Sequence, residues 1–402
     1  MTQSHPLSRV EFVALCAMMF ATIAFSIDAM LPALPEIGRE LSPDNVNNAQ
    51  MILTSFMLGM GIGTFFTGPL SDTFGRKPVI VGGAVLYMIC AAIGWASQSL
   101  ELVLVARVFQ GIGAAGPRVV TLAIIRDLYS GREMARLVSI VMLIFTLVPA
   151  IAPLLGSFII AFSGWRGVFV AFILFSLMSV LWLGFRLPEP LAKEDRRPFR
   201  LPVLISAVGE MWAIPVVRIS ILVQTLCFGM LMTILTSVQQ VYDITFDRGD
   251  SFPLWFAGVS LVAGTASILN AWLVMRLGMR FLVTVTLAVQ IVCSLGMLTA
   301  ALTPPIGPVL FGIFVFWQTT LFFQAGMTLG NLNAMAMEPL GHMAGTAASV
   351  MGAISTVMGA VLAVPVGLAF NGTPVPIALG IGIEAALGFG LMLYMKRAEA
   401  LS

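Results

Sequence analysis

Gly68-Pro69-Leu70-Ser71-Asp72-Thr73-Phe74-Gly75-Arg76-Lys77-Pro78 lies between two uncharged stretches, residues 51–67 and residues 79–99. An apolar helix of about 20 residues crosses a bilayer, so each flank reads as a membrane span. The short joint makes the two spans antiparallel neighbours. It also sets one acid and two bases where membrane meets water. A plain connector needs only polar turn residues, so this density of charge calls for a role.

Composition leads to the same class. The chain has 402 residues, of which 59% are hydrophobic and 10% charged, with a mean hydropathy of +0.99. Soluble domains carry about 25% charged residues. The net charge of +2 gives no footprint for nucleic acid. Lys77, Lys193 and Lys396 are followed by Pro, Glu and Arg. A Walker A loop needs Ser or Thr after its lysine, so no ATP-driven step is expected. Cys16, Cys90, Cys227 and Cys293 all sit in apolar segments without a Cys-x-x-Cys spacing, and they read as packing residues. His5 and His342 are isolated, and no metal site is expected.

Hydropathy gives twelve spans: 10–33, 49–70, 79–98, 102–125, 136–161, 167–187, 213–241, 252–275, 280–302, 306–331, 344–369 and 374–395. The first apolar run reads as a retained span and not as a cleaved leader. The one long polar interruption, residues 188–200, divides the spans six and six. The expected fold is thus an all-α polytopic membrane protein with two pseudo-symmetric six-helix halves. Residues 1–187 form the first half, 188–212 a cytoplasmic linker and 213–402 the second half. Such halves suit a transporter built from repeats. Arg276-Leu277-Gly278-Met279-Arg280 stands where the first half has Gly75-Arg76-Lys77. It is either a degenerate repeat or an ordinary membrane loop. The bases set orientation. Arg76, Lys77, Arg126, Arg186, Lys193, Arg196, Arg276 and Lys396 share one face, and Arg39, Arg166 and Arg248 are the bases of the other. Positive residues stay inside, so both termini are expected in the cytoplasm.

An ionisable side chain at bilayer depth costs about 3 kcal/mol or more and usually serves a pathway or a partner. Asp28 lies ~10 Å outward of the middle of span 1, and Arg107 lies at a similar depth on span 4. Pairing would offset the desolvation of both. A carboxylate that pairs in one state and meets water in another can cycle a proton. The other reading of Asp28 is a polar cap on the outer end of span 1. Arg118, beside Pro117, either faces a cavity or snorkels to the surface. Glu384, mid-span 12, is either a second protonatable site or a bystander. Phe25, Gln110, Arg118 and Gln224 are the candidates to line a cavity. Asp72, Arg76 and Asp127 share a depth at the inner ends of spans 2, 3 and 4. Pro149 and Pro153, with Gly156, are expected to bend span 5. Gly59-x-Gly61-x-Gly63 and Gly326-x-x-x-Gly330 are expected to allow close helix contact.

The segment Gly68–Lys77 resembles the signature loop between helices 2 and 3 of the major facilitator superfamily. Arg107-Val-Phe-Gln110-Gly111-Ile-Gly113 resembles that superfamily's helix-4 motif. Asp28-Ala-Met-Leu-Pro32 resembles the end of helix 1 in its drug/proton antiporters. Val148-Pro149-Ala-Ile-Ala-Pro153-Leu-Leu-Gly156 falls where the antiporter motif of helix 5 does, with alanine in place of part of its glycine. Ile125-Arg126-Asp127-Leu-Tyr129 resembles the Bcr/CflA-type multidrug exporters. The resemblance implies that Asp72, Gly75, Arg76 and Asp127 latch the cytoplasmic side, as against a merely solvated turn. It implies a proton-coupled exporter of small drug-like or amphipathic molecules, working by alternating access in a bacterial inner membrane. Such a protein acts as a monomer and takes its energy from the proton gradient, with no cofactor. Its partners are the small-molecule substrate, protons and the lipid bilayer. A transporter of one metabolite, by export or uptake, is the alternative within the class. A channel would favour a repeated filter motif, and a membrane enzyme would need clustered ligands at bilayer depth. Neither pattern stands out in the sequence.

Overall fold

The computed structural model describes residues 7–196, 198–199, 201–303 and 308–400. His5, Arg197, Arg200 and the side chains of His342 and Arg397 lie outside that set. Every long element is a helix, and no strand occurs among the described residues. In chain order they are α1 Arg9–Asp28, α2 Leu34–Leu41, α3 Met51–Phe74, α4 Arg76–Ala96, α5 Leu100–Leu128 and α6 Gly131–Arg186. There follow α7 Leu201–Ala213, α8 Pro215–Gln240, α9 Phe252–Leu277, α10 Met279–Leu302, α11 Val309–Met337, α12 Ala344–Leu368 and α13 Val375–Ala400.

Among the described residues, eleven helical segments are long and apolar enough to cross a membrane. One of them, α6, has 56 residues. At 1.5 Å per residue it would run ~84 Å, against a hydrocarbon core of ~30 Å. It breaks at Gly164, where φ is 66° and ψ is 179°. Only glycine enters that region at low cost, so the break makes two arms, residues 131–163 and 165–186. With α6 counted as two, the described residues give the twelve crossings read from hydropathy.

By contact the chain forms two compact units. The first contains residues 1–33 and 55–201, and the second contains 34–54 and 202–402. The first unit holds α1, most of α3, α4, α5 and both arms of α6. Small residues let its helices touch backbone to backbone. A Cβ on Gly59 or Gly111 would collide with the main chain of α5 or α3 respectively, and one on Gly83 would lie 2.7 Å from the Gly113 carbonyl oxygen. The second unit holds α8 to α13. There Gly326 does face its neighbour, with Ala266 2.8 Å from an added Cβ, whereas Gly330 faces open space. The second glycine of that expected motif therefore makes no close crossing.

Two departures from the hydropathy reading have local causes. The first span does not run unbroken to residue 33. Its helix stops at Asp28, and a 3-10 turn, Leu31–Ala33, leads into α2. Pro32 and Pro35 lack the amides that a continuing helix needs. Helix α2 is amphipathic, burying Leu34, Pro35, Ile37 and Gly38 in the second unit. The segment read as linker carries α7, whose apolar residues Leu204, Ala207 and Met211 are buried.

Candidate functional site

The first unit carries a polar core on α1, α4 and α5. Arg107 is fully buried. Its Nη1 donates to Gln110 Oε1 at 2.9 Å and its Nη2 to the Ser26 carbonyl at 3.0 Å. The guanidinium lies over the Phe56 ring, 4.3 Å from its centroid, and 5.8 Å from that of Phe172. Cation–π contact offsets part of the cost of burying the charge. Ser26 Oγ donates to the Thr22 carbonyl at 2.6 Å. Its one proton is thereby used, so the 2.5 Å contact with Tyr87 must be donated by the tyrosine hydroxyl.

Asp28 is the last residue of α1 and is 5% exposed. Among the described residues its carboxylate meets no hydrogen-bond or ionic partner. Arg107 bonds to Ser26 and Gln110, and the pairing with Asp28 expected from equal depth does not occur among the described residues. The geometry also weighs against the cap reading. Helix C-termini carry partial negative charge, and a carboxylate there is repelled. The Ala29 amide that follows is already bonded to the Phe25 carbonyl at 3.1 Å. An unpaired carboxylate in such surroundings is expensive unless it carries a proton.

The charged joint folds into a second cluster at the ends of α3, α4 and α5. Gly75 adopts φ 103° and ψ 161° and joins α3 to α4 with a single residue. Arg76 then turns back under the unit. Its Nη1 reaches Asp72 Oδ1 at 2.6 Å and Ser71 Oγ at 2.7 Å, and its Nε reaches Asp127 Oδ2 at 2.7 Å. The Arg76 side chain is 8% exposed, Asp127 22% and Asp72 47%. The Asp127 pair is therefore the better shielded and the stronger of the two. Sequence reasoning missed Glu189. Its two oxygens accept from the Arg76 amide at 2.8 Å and the Lys77 amide at 2.9 Å. The Lys77 ammonium donates to the Gly184 carbonyl at 3.0 Å. Nothing local marks Glu189, because its partners lie 113 and 112 positions away.

The proline pair stands inside the first arm of α6, at Pro149 and Pro153. Gly156 is buried against the main chain of Ala29, where a Cβ would collide with the Ala29 carbonyl. The antiporter-like segment thus touches the turn that follows Asp28. Of the cavity candidates, Phe25 and Gln110 are buried, Arg118 is exposed and Gln224 is half-buried. Phe25 packs edge-on against Phe172, with ring centroids 5.5 Å apart.

In the second unit, segment 34–54 is fastened by polar bonds. Arg39 Nη2 pairs with Asp243 Oδ2 at 2.9 Å. Asn47 Nδ2 donates to the Phe370 carbonyl at 2.8 Å. Gln50 donates to Gln240 and accepts from Ser237 Oγ at 3.2 Å, all three being buried. Glu384 is 6% exposed, and its Oε2 is buried without a partner among the described residues. A Cβ on Gly229 of α8 would stand 3.0 Å from Glu384 Oε1.

Residues 14–363 match the family described as the Major Facilitator Superfamily. The chain is 31% identical over 342 residues to a bicyclomycin resistance protein homolog of Haemophilus influenzae, covering 84% of each. It is 28% identical over 336 residues to the multidrug resistance protein MdtL of Escherichia fergusonii, covering 81% of this chain and 80% of that protein. Among solved structures, a D-xylose-proton symporter superposes with a TM-score of 0.75 at 16% identity, covering 96% of this chain and 97% of that one. At that identity the likeness concerns the fold. With its twelve crossings, its charged joint between the second and third, and these relatives, the chain belongs to the Major Facilitator Superfamily of membrane transporters.

Proposed function

We propose that the protein is a proton-coupled exporter of small drug-like or amphipathic molecules, working by alternating access. The observation that carries the proton coupling is Asp28, a buried carboxylate at the end of α1 with no ionic partner among the described residues. While sealed it holds its proton. On exposure to water it loses it, and each cycle then moves a charge worth ~2.3 kcal/mol per 100 mV. Arg107, bonded to the Ser26 carbonyl two residues before Asp28, fixes the end of α1 and sets a positive field near the proton site.

The Asp72–Arg76–Asp127 cluster would act as a latch at the inner end, in a bacterial inner membrane with both termini cytoplasmic. The export of drug-like compounds is supported by the resistance proteins among the relatives. Pro149, Pro153 and Gly156 would let α6 bend where it meets the turn after Asp28. Phe25, Gln110, Arg118 and Gln224 are proposed to meet the substrate, with the monomer as the working unit.

The test is flux in proteoliposomes under an imposed pH gradient, screened against a panel of amphipathic cations, neutral antibiotics and simple sugars. Substrate-dependent proton movement with the first two groups supports the proposal. Downhill flux with no proton movement would make the protein a uniporter or channel, and activity with sugars alone would make it a metabolite carrier.

A further inference from the structure

We propose that the second unit carries a second coupled proton, on Glu384, at a polar site built by α8, α11 and α13. Glu384 is buried midway along α13, and its carboxyl lies against the bare main chain of Gly229 on α8. The Cys227 thiol, two residues before Gly229, is within hydrogen-bonding reach of Gln324 and Thr328 of α11 and has the Glu384 carboxyl nearby. Gln324 Nε2 donates to Thr328 Oγ1 at 2.8 Å, and Thr328 Oγ1 donates to the Gln324 carbonyl at 2.9 Å. Gln324 Oε1 is left without a donor, as are Glu384 Oε2 and the Oε1 of Gln224, one turn before Cys227. Three buried oxygens from three helices thus lack a hydrogen.

No cation of the packed helices stands at this depth. Helices α11 and α12 carry no charged residue. The one base of α8, Arg218, is eleven residues before Gly229, or ~16 Å along the helix. The one base of α10, Arg280, is fourteen residues before Ser294, which touches Gly382 of α13, or ~21 Å. On α13 itself Lys396 is twelve residues on, or ~18 Å. The other thiol on a packed helix, Cys293 of α10, sits beside Thr320. A proton is therefore what makes the buried acid neutral, and it turns one carboxyl oxygen into a donor. When the helices part and water reaches the row of bare acceptors, the O–H bond breaks and the proton passes to water.

The proposal rests on the proton-coupled reading above, and its first readout does not use transport. The full chain in neutral detergent is titrated with pH while the infrared carbonyl band of protonated carboxyl groups is followed, in water and in deuterium oxide. Glutamine matches the neutral acid in size, so Glu384→Gln should fold. At neutral pH it should lose one component of the wild-type band, and Asp28→Asn should lose a different one. Glu384→Asp should keep a component. Gly229→Ala, whose Cβ would stand 3.0 Å from Glu384 Oε1, should move the pH at which the Glu384 component disappears and leave the Asp28 component in place. An unchanged band in Glu384→Gln would overturn the proposal, because the acid would be ionised. A component that neither titrates nor shifts in deuterium oxide would overturn it as well, because the acid would be a permanently neutral packing residue. In proteoliposomes, with a substrate that moves protons, Glu384→Gln should lower the number of protons per substrate by one, read from the substrate gradient that a fixed pH gradient sustains. An unchanged number would overturn the coupling of Glu384. A panel in which no substrate moves protons would count against the exporter reading, and the infrared components would still decide whether Glu384 holds an exchangeable proton.

Discussion

Glu189 accepts the main-chain amide of Arg76 at 2.8 Å, while Asp127 holds the guanidinium of the same residue at 2.7 Å. Arg76 is therefore fixed at both ends, by two acids from different parts of the first unit. The Glu189 carboxylate also satisfies the Lys77 amide, so it serves as the missing cap of α4. Glu189→Ala is expected to lower stability by about 1–2 kcal/mol, the usual worth of a helix cap. Thermal unfolding of the purified protein measures this. An unchanged midpoint would mean that the amides are as well served by water.

Arg76→Ala and Asp72→Asn should differ in severity. The arginine variant leaves Asp127, at the better shielded pair, without its cation. Asp72 is half-exposed, and exposed pairs contribute about 0–1 kcal/mol. Both variants should insert in the membrane and transport more slowly, with Arg76→Ala the slower. Equal, wild-type rates in both would return the cluster to a solvated turn.

Asp28→Asn is expected to abolish transport driven by a pH gradient while the protein stays folded. Asparagine mimics the protonated, neutral side chain, so substrate binding should survive and lose its dependence on pH. The sign follows from competition. If binding of a cationic substrate needs the deprotonated carboxylate, wild-type affinity rises with pH, and the variant's profile is flat. Gradient-driven flux at the wild-type rate in this variant would move the proton site elsewhere, with Glu384 next.

Gln50 and Gln240 are both buried, and removing one partner leaves the other unsatisfied at a cost of about 1–3 kcal/mol. Gln50→Ala and Gln240→Ala should each weaken the fastening of segment 34–54. The double variant should cost less than the sum of the two, because it removes the orphan. Cysteine labelling at Asn47 should become faster in each single variant. Additive effects would indicate that the two amides act independently.

Gly156 has no room for a side chain beside the Ala29 carbonyl. Gly156→Ala is expected to cost about 1–3 kcal/mol through a forced shift of backbone. It should also impair coupling more than Pro149→Ala, because it displaces the turn that follows Asp28. Transport assays on protein matched for amount in the membrane would compare them, and a silent Gly156→Ala would show that α6 yields easily there.

The membrane class, the twelve crossings and the superfamily were legible in residues 51–99 and in the spacing of the other apolar runs. Those properties depend on local composition, because a span must be apolar along its whole length wherever it packs. The charged joint was legible for the same reason, its Asp72 and Arg76 being one helical turn apart. Tertiary structure decided the rest. Equal depth could not tell whether Arg107 meets Asp28 or the Ser26 carbonyl, since that depends on helix rotation, and a rotation of one residue moves a side chain by about 100°. The roles of Glu189 and of the Gln50–Gln240 bond rest on partners more than a hundred residues away, to which no local pattern points.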